Sequence, residues 1–171
     1  MEILIIDAYN VINHWPKTAE IAKEDMANAR DILNEAVLNY ASYKGIHTIV
    51  VYDAYQTETV KPIVEENARM QIVYTKKNQT ADAYIEALVH RYAKREDVCV
   101  VTSDWTLQKM VLSGGLIRKP VSELILEMTA AEQKMRLDYE KDNHKKQAGE
   151  KEHKNQLLRL QLEKIDKNKR G

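Results

Sequence analysis

The sequence predicts an α/β fold, a three-layer α/β/α sandwich around a central parallel sheet. Two observations carry this reading. Short apolar runs within 2–7, 46–53 and 98–104 each lead into an aspartate, and the segments between them show helical spacing. Strands alternating with helices form parallel βαβ units, and strands buried on both faces read as continuous apolar runs.

The elements follow in order. Glu2–Asp7 is a strand, followed by a loop holding Trp15 and Pro16. From Asp25 to Lys44, Ala29, Ile32, Leu33, Ala36, Val37, Tyr40 and Ala41 recur at helical spacing, and Gly45 stops the helix. Ile46–Asp53 is a second strand. Residues 54–68 read as a loop with a short helix, interrupted at Pro62. Gln71–Thr75 is a third strand, and Lys76–Gln79 a polar turn. Thr80 can cap a helix reaching about Arg95, with Ile85, Leu88, Val89 and Tyr92 facing inward. Val98–Thr102 is a fourth strand. Trp105–Ser113 is a short helix closed by Gly114 and Gly115, and Leu116–Arg118 an edge strand. From Ser122 onward the chain reads as helix. It docks through Leu124, Ile125 and Met128, is broken at Gly149, and carries a thin stripe of Leu158, Leu162 and Ile165 near its end.

Composition bounds the function. The chain has 171 residues, 44% hydrophobic and 30% charged, with zero formal net charge. That suits one domain with an appendage. Residues 1–128 hold 14 Lys and Arg against 18 Asp and Glu; residues 129–171 hold 12 against 8. The division predicts an acidic globular domain over 1–128 and a basic helical extension over 129–171, suited to a polyanion or to a solvated face. The single cysteine, Cys99, excludes an internal disulfide framework and a cysteine-based zinc site, and its valine neighbours make it a core residue. No run approaches the roughly 20 apolar residues that span a bilayer, and no signal peptide opens the chain. No membrane partner and a cytoplasmic location are expected.

The chemistry lies in the acids. Asp7, Asp53 and Asp104 end predicted strands, and Asp82 sits in the first turn of a helix. Parallel strands place their carboxyl ends on one edge, where ligands of such sheets bind. Gathered carboxylates resist ionisation, and a hard divalent cation such as Mg²⁺ or Mn²⁺ relieves that repulsion. Such a cation can activate water and stabilise charge on a phosphodiester. Each acid also has a plain structural use. Asp7 and Asp53 can start turns, Asp82 can complement a helix dipole, and Asp104 can cap the helix that follows. Asn10 can orient an aspartate or bond its own loop, while Ser103 and Thr80 suit capping. There is no Gly-x-Ser-x-Gly elbow, glycine-rich phosphate loop or histidine pair at ligand spacing.

The motifs Ile-Leu-Ile-Ile-Asp-Ala-Tyr-Asn-Val-Ile (3–12), Val-Val-Tyr-Asp-Ala (50–54), Val-Tyr-Thr-Lys (73–76), Thr-Ala-Asp-Ala-Tyr-Ile (80–85) and Val-Val-Thr-Ser-Asp (100–104) stand in one order. In that order the chain resembles the NYN domain family, relatives of the PIN-like nucleases, and specifically its bacterial YacP branch. The resemblance covers roughly residues 1–128. It implies a PIN-like fold with a mostly parallel sheet and a metal-dependent endoribonuclease. Catalytic, metal-binding acids would be Asp7, Asp82 and Asp104, supported by Asn10, Asp53 and Ser103. It also implies RNA and the ribosome with translated messenger RNA as partners. Lys76-Lys77-Asn78-Gln79 fills a loop that in relatives tends to carry Gly and Glu; Lys76 and Lys77 are candidate contacts to RNA or ribosome. The alternative from another class is a catalytically weak RNA- or ribosome-binding module with the same fold, favoured by the neutral net charge.

Overall fold

The structure, a computed structural model, describes residues 2–53, 62–67 and 69–170, with side chains described through Leu158. The elements are β1 (Ile3–Asp7), α1 (Ala8–His14), α2 (Pro16–Ala22), α3 (Met26–Lys44), β2 (His47–Tyr52) and β3 (Ile63–Glu66). They continue with β4 (Met70–Tyr74), α4 (Ala81–Arg91), β5 (Val98–Val101), α5 (Trp105–Ser113), β6 (Ile117–Lys119) and α6 (Val121–Arg170). The chain divides into two compact units, Met1–Glu132 and Gln133–Gly171.

In the first unit, the described strands form one sheet in the order β3-β4-β2-β1-β5-β6. All neighbours are parallel except β3 and β4. Side chains alternate across the strands, so β1 feeds two cores. Leu4 and Ile6 join α1, α2, α3 and the start of α6, while Ile5 joins α4 and α5. This is the expected sandwich. β1 lies between β2 and β5, and the chain leaves β1 toward one face and β5 toward the other. Neighbouring strands whose connections diverge open a crevice at their carboxyl ends. Asp7 and Asp104 flank it.

Local rules explain most boundaries. Asp25 caps α3 by accepting from the Asn28 backbone N–H at 3.0 Å. Gly45 ends that helix at φ 72°, a left-handed conformation glycine adopts without strain. Thr80 caps α4 through the Ala83 N–H.

The structure corrects four expectations. The expected loop after β1 is two short helices. Asp7 caps the first, and Pro16 opens the second at its first turn, where a missing N–H costs nothing. Helix α4 ends at Arg91 rather than near Arg95; the chain turns away through Lys94 at φ 67°. In the expected loop-and-helix over 54–68, residues 63–66 are strand β3, pairing antiparallel with β4; residues 54–61 and 68 lie outside the described residues. Gly149 does not break α6. An isolated glycine costs a helix about 1 kcal/mol relative to alanine, too little to end it.

The start of α6 is docked through Val121, Leu124, Met128 and Ala131, all buried. In the second unit, Leu137, Tyr139, Leu157 and Leu158 are exposed. The side chains of Leu162 and Ile165, the rest of the expected stripe, lie outside the described residues. No helix among the described residues is long and apolar enough to cross a membrane.

Candidate active site

Asp7 is the last residue of β1 and the N-cap of α1. The all-apolar strand carries it into the interior, where it is only 7% exposed. It accepts two bonds from Asn10, one from the backbone N–H at 3.5 Å and one from Nδ2 at 3.4 Å. Burial pushes its pKa from 3.8 up to about 6, the charge of Asp82 adds to the rise, Asn10 opposes it, and Asp104 adds a smaller push.

Asp82 sits in the first turn of α4, held there by the Thr80 cap. Its carboxyl is also raised, by burial first and then by Asp104 and Asp53. Asp104 caps α5, its Oδ1 accepting from the Leu107 N–H at 2.9 Å. Its own backbone N–H donates to Thr102 Oγ1 at 3.1 Å. The structure therefore brings Asp7, Asp82 and Asp104 within electrostatic reach of one another, with Asp53 beside Asp82. A cavity of about 380 Å³ at this edge is lined by Asp7, Asn10, Asp53 and Asp82, together with Tyr9 and His14. Ser103 is exposed, as are Lys76 and Lys77 in the β4–α4 loop, where Asn78 at φ 60° turns the chain toward Thr80.

Three features escaped sequence reasoning. Thr102 is fully buried and orients Asp104; Gln108, also buried, donates to the Thr102 carbonyl at 3.3 Å. A polar residue four positions along the helix from Asp104 was the available signal. Tyr9 reaches the cavity, packed edge-on against Tyr52 at 5.4 Å, with Arg30 donating to its hydroxyl at 3.4 Å. His14 reaches it too, its Nδ1 2.7 Å from the Asn10 carbonyl.

The donor set suits a hard cation. It consists of carboxylates and an amide oxygen, and Asn10 Oδ1 is buried without a hydrogen-bond partner. Among the described residues, no three His, Cys, Asp or Glu side chains form a ready ligand cage. One or two carboxylates, completed by water and substrate phosphate, is the usual holding of Mg²⁺.

Comparisons agree with this architecture. Residues 4–170 match the YacP-like NYN domain family. A Bacillus subtilis (strain 168) protein named uncharacterized protein YacP is 33% identical over 150 residues, covering 87% of this chain and 88% of the relative. The crystal structure of Rae1 (YacP) from Bacillus subtilis aligns with a TM-score of 0.73 at 32% identity, over 100% of this chain and 96% of that one. A mutant of Rae1 aligns with a TM-score of 0.69 at 33% identity, over 82% of each chain.

Proposed function

The chain belongs to the YacP-like NYN domain family, and from that premise we propose that it is a metal-dependent endoribonuclease acting on messenger RNA at the ribosome, in the cytoplasm. Its fold is that of a nuclease family. The observation that carries the reading is Asp7, a carboxyl buried at the sheet edge, whose pKa is raised to about 6 first by that burial and then by the charge of Asp82. Burying an acid among acids costs stability, and a site is where such a cost is retained.

In this reading Asp7, Asp82 and Asp104 hold Mg²⁺ or Mn²⁺, directly or through water. Bound there, the cation would polarise a phosphodiester and supply an acidified water. Asn10 fixes the Asp7 carboxylate by donating to it. Thr102 and the cap on Leu107 fix Asp104, so both acids are oriented before substrate arrives. Asp53 adds negative potential beside Asp82. Lys76 and Lys77 extend from the loop leading into α4 and meet the RNA backbone or a ribosomal surface.

The test is incubation with translating ribosomes and a defined messenger, with and without Mg²⁺, mapping new 5′ ends. New ends that need Mg²⁺ and vanish in Asp7→Asn support the reading. Ribosome binding without any new ends favours the binding-module alternative.

A further inference from the structure

The two tryptophans have opposite environments. Trp15 is 7% exposed and joins the core, whereas Trp105 is 67% exposed. Tryptophan carries the largest apolar surface of any side chain, so leaving it in water forgoes a large gain on folding. The first position of a helix accepts many residues, and the cap itself is made by Asp104. Neither the core nor the helix start accounts for tryptophan here.

Its surroundings do. Trp105 directly follows Asp104, so it stands at the edge where the acids gather. Lys109, one turn along α5, places Nζ 5.1 Å from the Trp105 ring centroid. An ammonium is attracted electrostatically to the face of an indole, which biases the ring toward one orientation. The pair presents a flat π surface beside a positive charge. Single-stranded nucleic acid is held by the same combination, aromatic side chains under the bases and cations along the backbone.

We propose that Trp105 is the stacking platform for a nucleobase of single-stranded RNA next to the phosphate at the acidic edge, with Lys109 pairing to the adjoining phosphate. This rests on the ribonuclease reading and adds a substrate preference to it. A base can stack on Trp105 only after leaving its own helix, so unpaired RNA binds and duplex does not. Every base has a π face, so the platform itself is tolerant of sequence.

The experiment compares wild type, Trp105→Ala and Trp105→Phe. A labelled, unstructured oligoribonucleotide is titrated in chelator for affinity, and cleaved in Mg²⁺ for KM and kcat. In chelator, single-stranded RNA quenches wild-type tryptophan fluorescence and duplex RNA does not. Trp105→Ala weakens binding on the order of tenfold and raises KM more than it lowers kcat. Trp105→Phe recovers most of both, and all three proteins share one urea midpoint because the residue is exposed. Unquenched fluorescence with equal affinity and KM for wild type and Trp105→Ala overturns the platform while leaving a cleaving wild type a ribonuclease. Unchanged RNA affinity with weaker ribosome co-sedimentation also overturns it, making Trp105 a protein contact. Quenching and the Trp105→Ala loss of affinity, with wild type cleaving neither this oligonucleotide nor messenger on translating ribosomes, keep the platform and remove the ribonuclease reading.

Discussion

Asn10 donates its side-chain amide to Asp7 Oδ2 at 3.4 Å, from the first turn of the helix that Asp7 itself caps. The bond keeps one carboxylate oriented while its other surroundings, burial and two neighbouring acids, work against its charge. Asn10→Ala removes that donor and frees the carboxylate to rotate. Loss of an orienting partner of a metal-holding group typically costs 10–100-fold in metal affinity or activity. The expected outcome is a folded protein with that loss, read by Mn²⁺ titration and RNA cleavage; unchanged titration would remove Asn10 from the site.

Asp7→Asn is expected to stabilise the protein at neutral pH while ending activity. The folded pKa of about 6 lies above the ordinary carboxyl value of 3.8, so the ionised carboxylate disfavours folding above pH 6. As pH falls from 6 to 4, the wild type takes up its proton and recovers. At roughly 1.4 kcal/mol per pKa unit, Asp7→Asn gains about 1–3 kcal/mol at pH 7 without divalent cation, and the gain fades by pH 4. Urea unfolding at pH 7 and pH 4 reads it; a gain that grows toward acid contradicts the assignment.

Glu127 has the opposite sign. Burial raises its pKa, but hydrogen bonds from Lys119 Nζ at 2.6 Å and from Tyr40 outweigh this and hold it below 4.5. Its contribution is present above the unfolded pKa and lost as pH drops through the lower folded one. Both partners of the ion pair are only partly exposed. Glu127→Gln should therefore cost about 1–2 kcal/mol at pH 7, with a smaller difference between wild type and variant at pH 3. Parallel unfolding curves at both pH values would count against it.

Lys76→Ala with Lys77→Ala should weaken cleavage of ribosome-bound RNA and leave the unfolding free energy within about 0.5 kcal/mol of wild type, since both are exposed surface positions. Each lost phosphate contact flattens the salt dependence of log affinity by about 0.7. Equal rates and slopes across low and physiological salt would take this loop out of substrate binding.

Deleting residues 150–171 should leave the first unit folded, because Leu124, Met128 and Ala131 stay in place to cover its core. If the basic extension meets ribosomal RNA, co-sedimentation with ribosomes weakens and becomes more salt-sensitive while metal binding is unchanged. Unaltered co-sedimentation, with loss of a dimer, would assign the extension to self-association.

Legibility in the sequence followed burial. Asp7 and Asp104 stood out because apolar strands must be buried and the first acid after each marks the sheet edge. Strand β3 did not stand out, because Ile63, Val64, Glu65 and Glu66 are all exposed and show no alternation of apolar and polar residues. Residues 8–22 read as a loop because Pro16 suggested a break, whereas it begins a helix. Thr102 resembled one more strand residue, and only its bond to the Asp104 N–H reveals its orienting role. The opposite environments of Trp15 and Trp105 depend on which side of each helix meets the sheet, a tertiary fact with no local signature.

The described sheet ends in two short strands, β3 with four residues and β6 with three. An open edge is a template for another chain's backbone. Glu65 and Glu66 lie on one edge and Arg118 on the other. Two molecules joining edge to like edge would set glutamate near glutamate or arginine near arginine, and so repel. Joining unlike edges satisfies the charges, but strands of four and three residues offer only a few ladder bonds to hold such a head-to-tail contact. Brevity and sign together thus weaken edge-to-edge pairing of a sheet rich in valine and isoleucine.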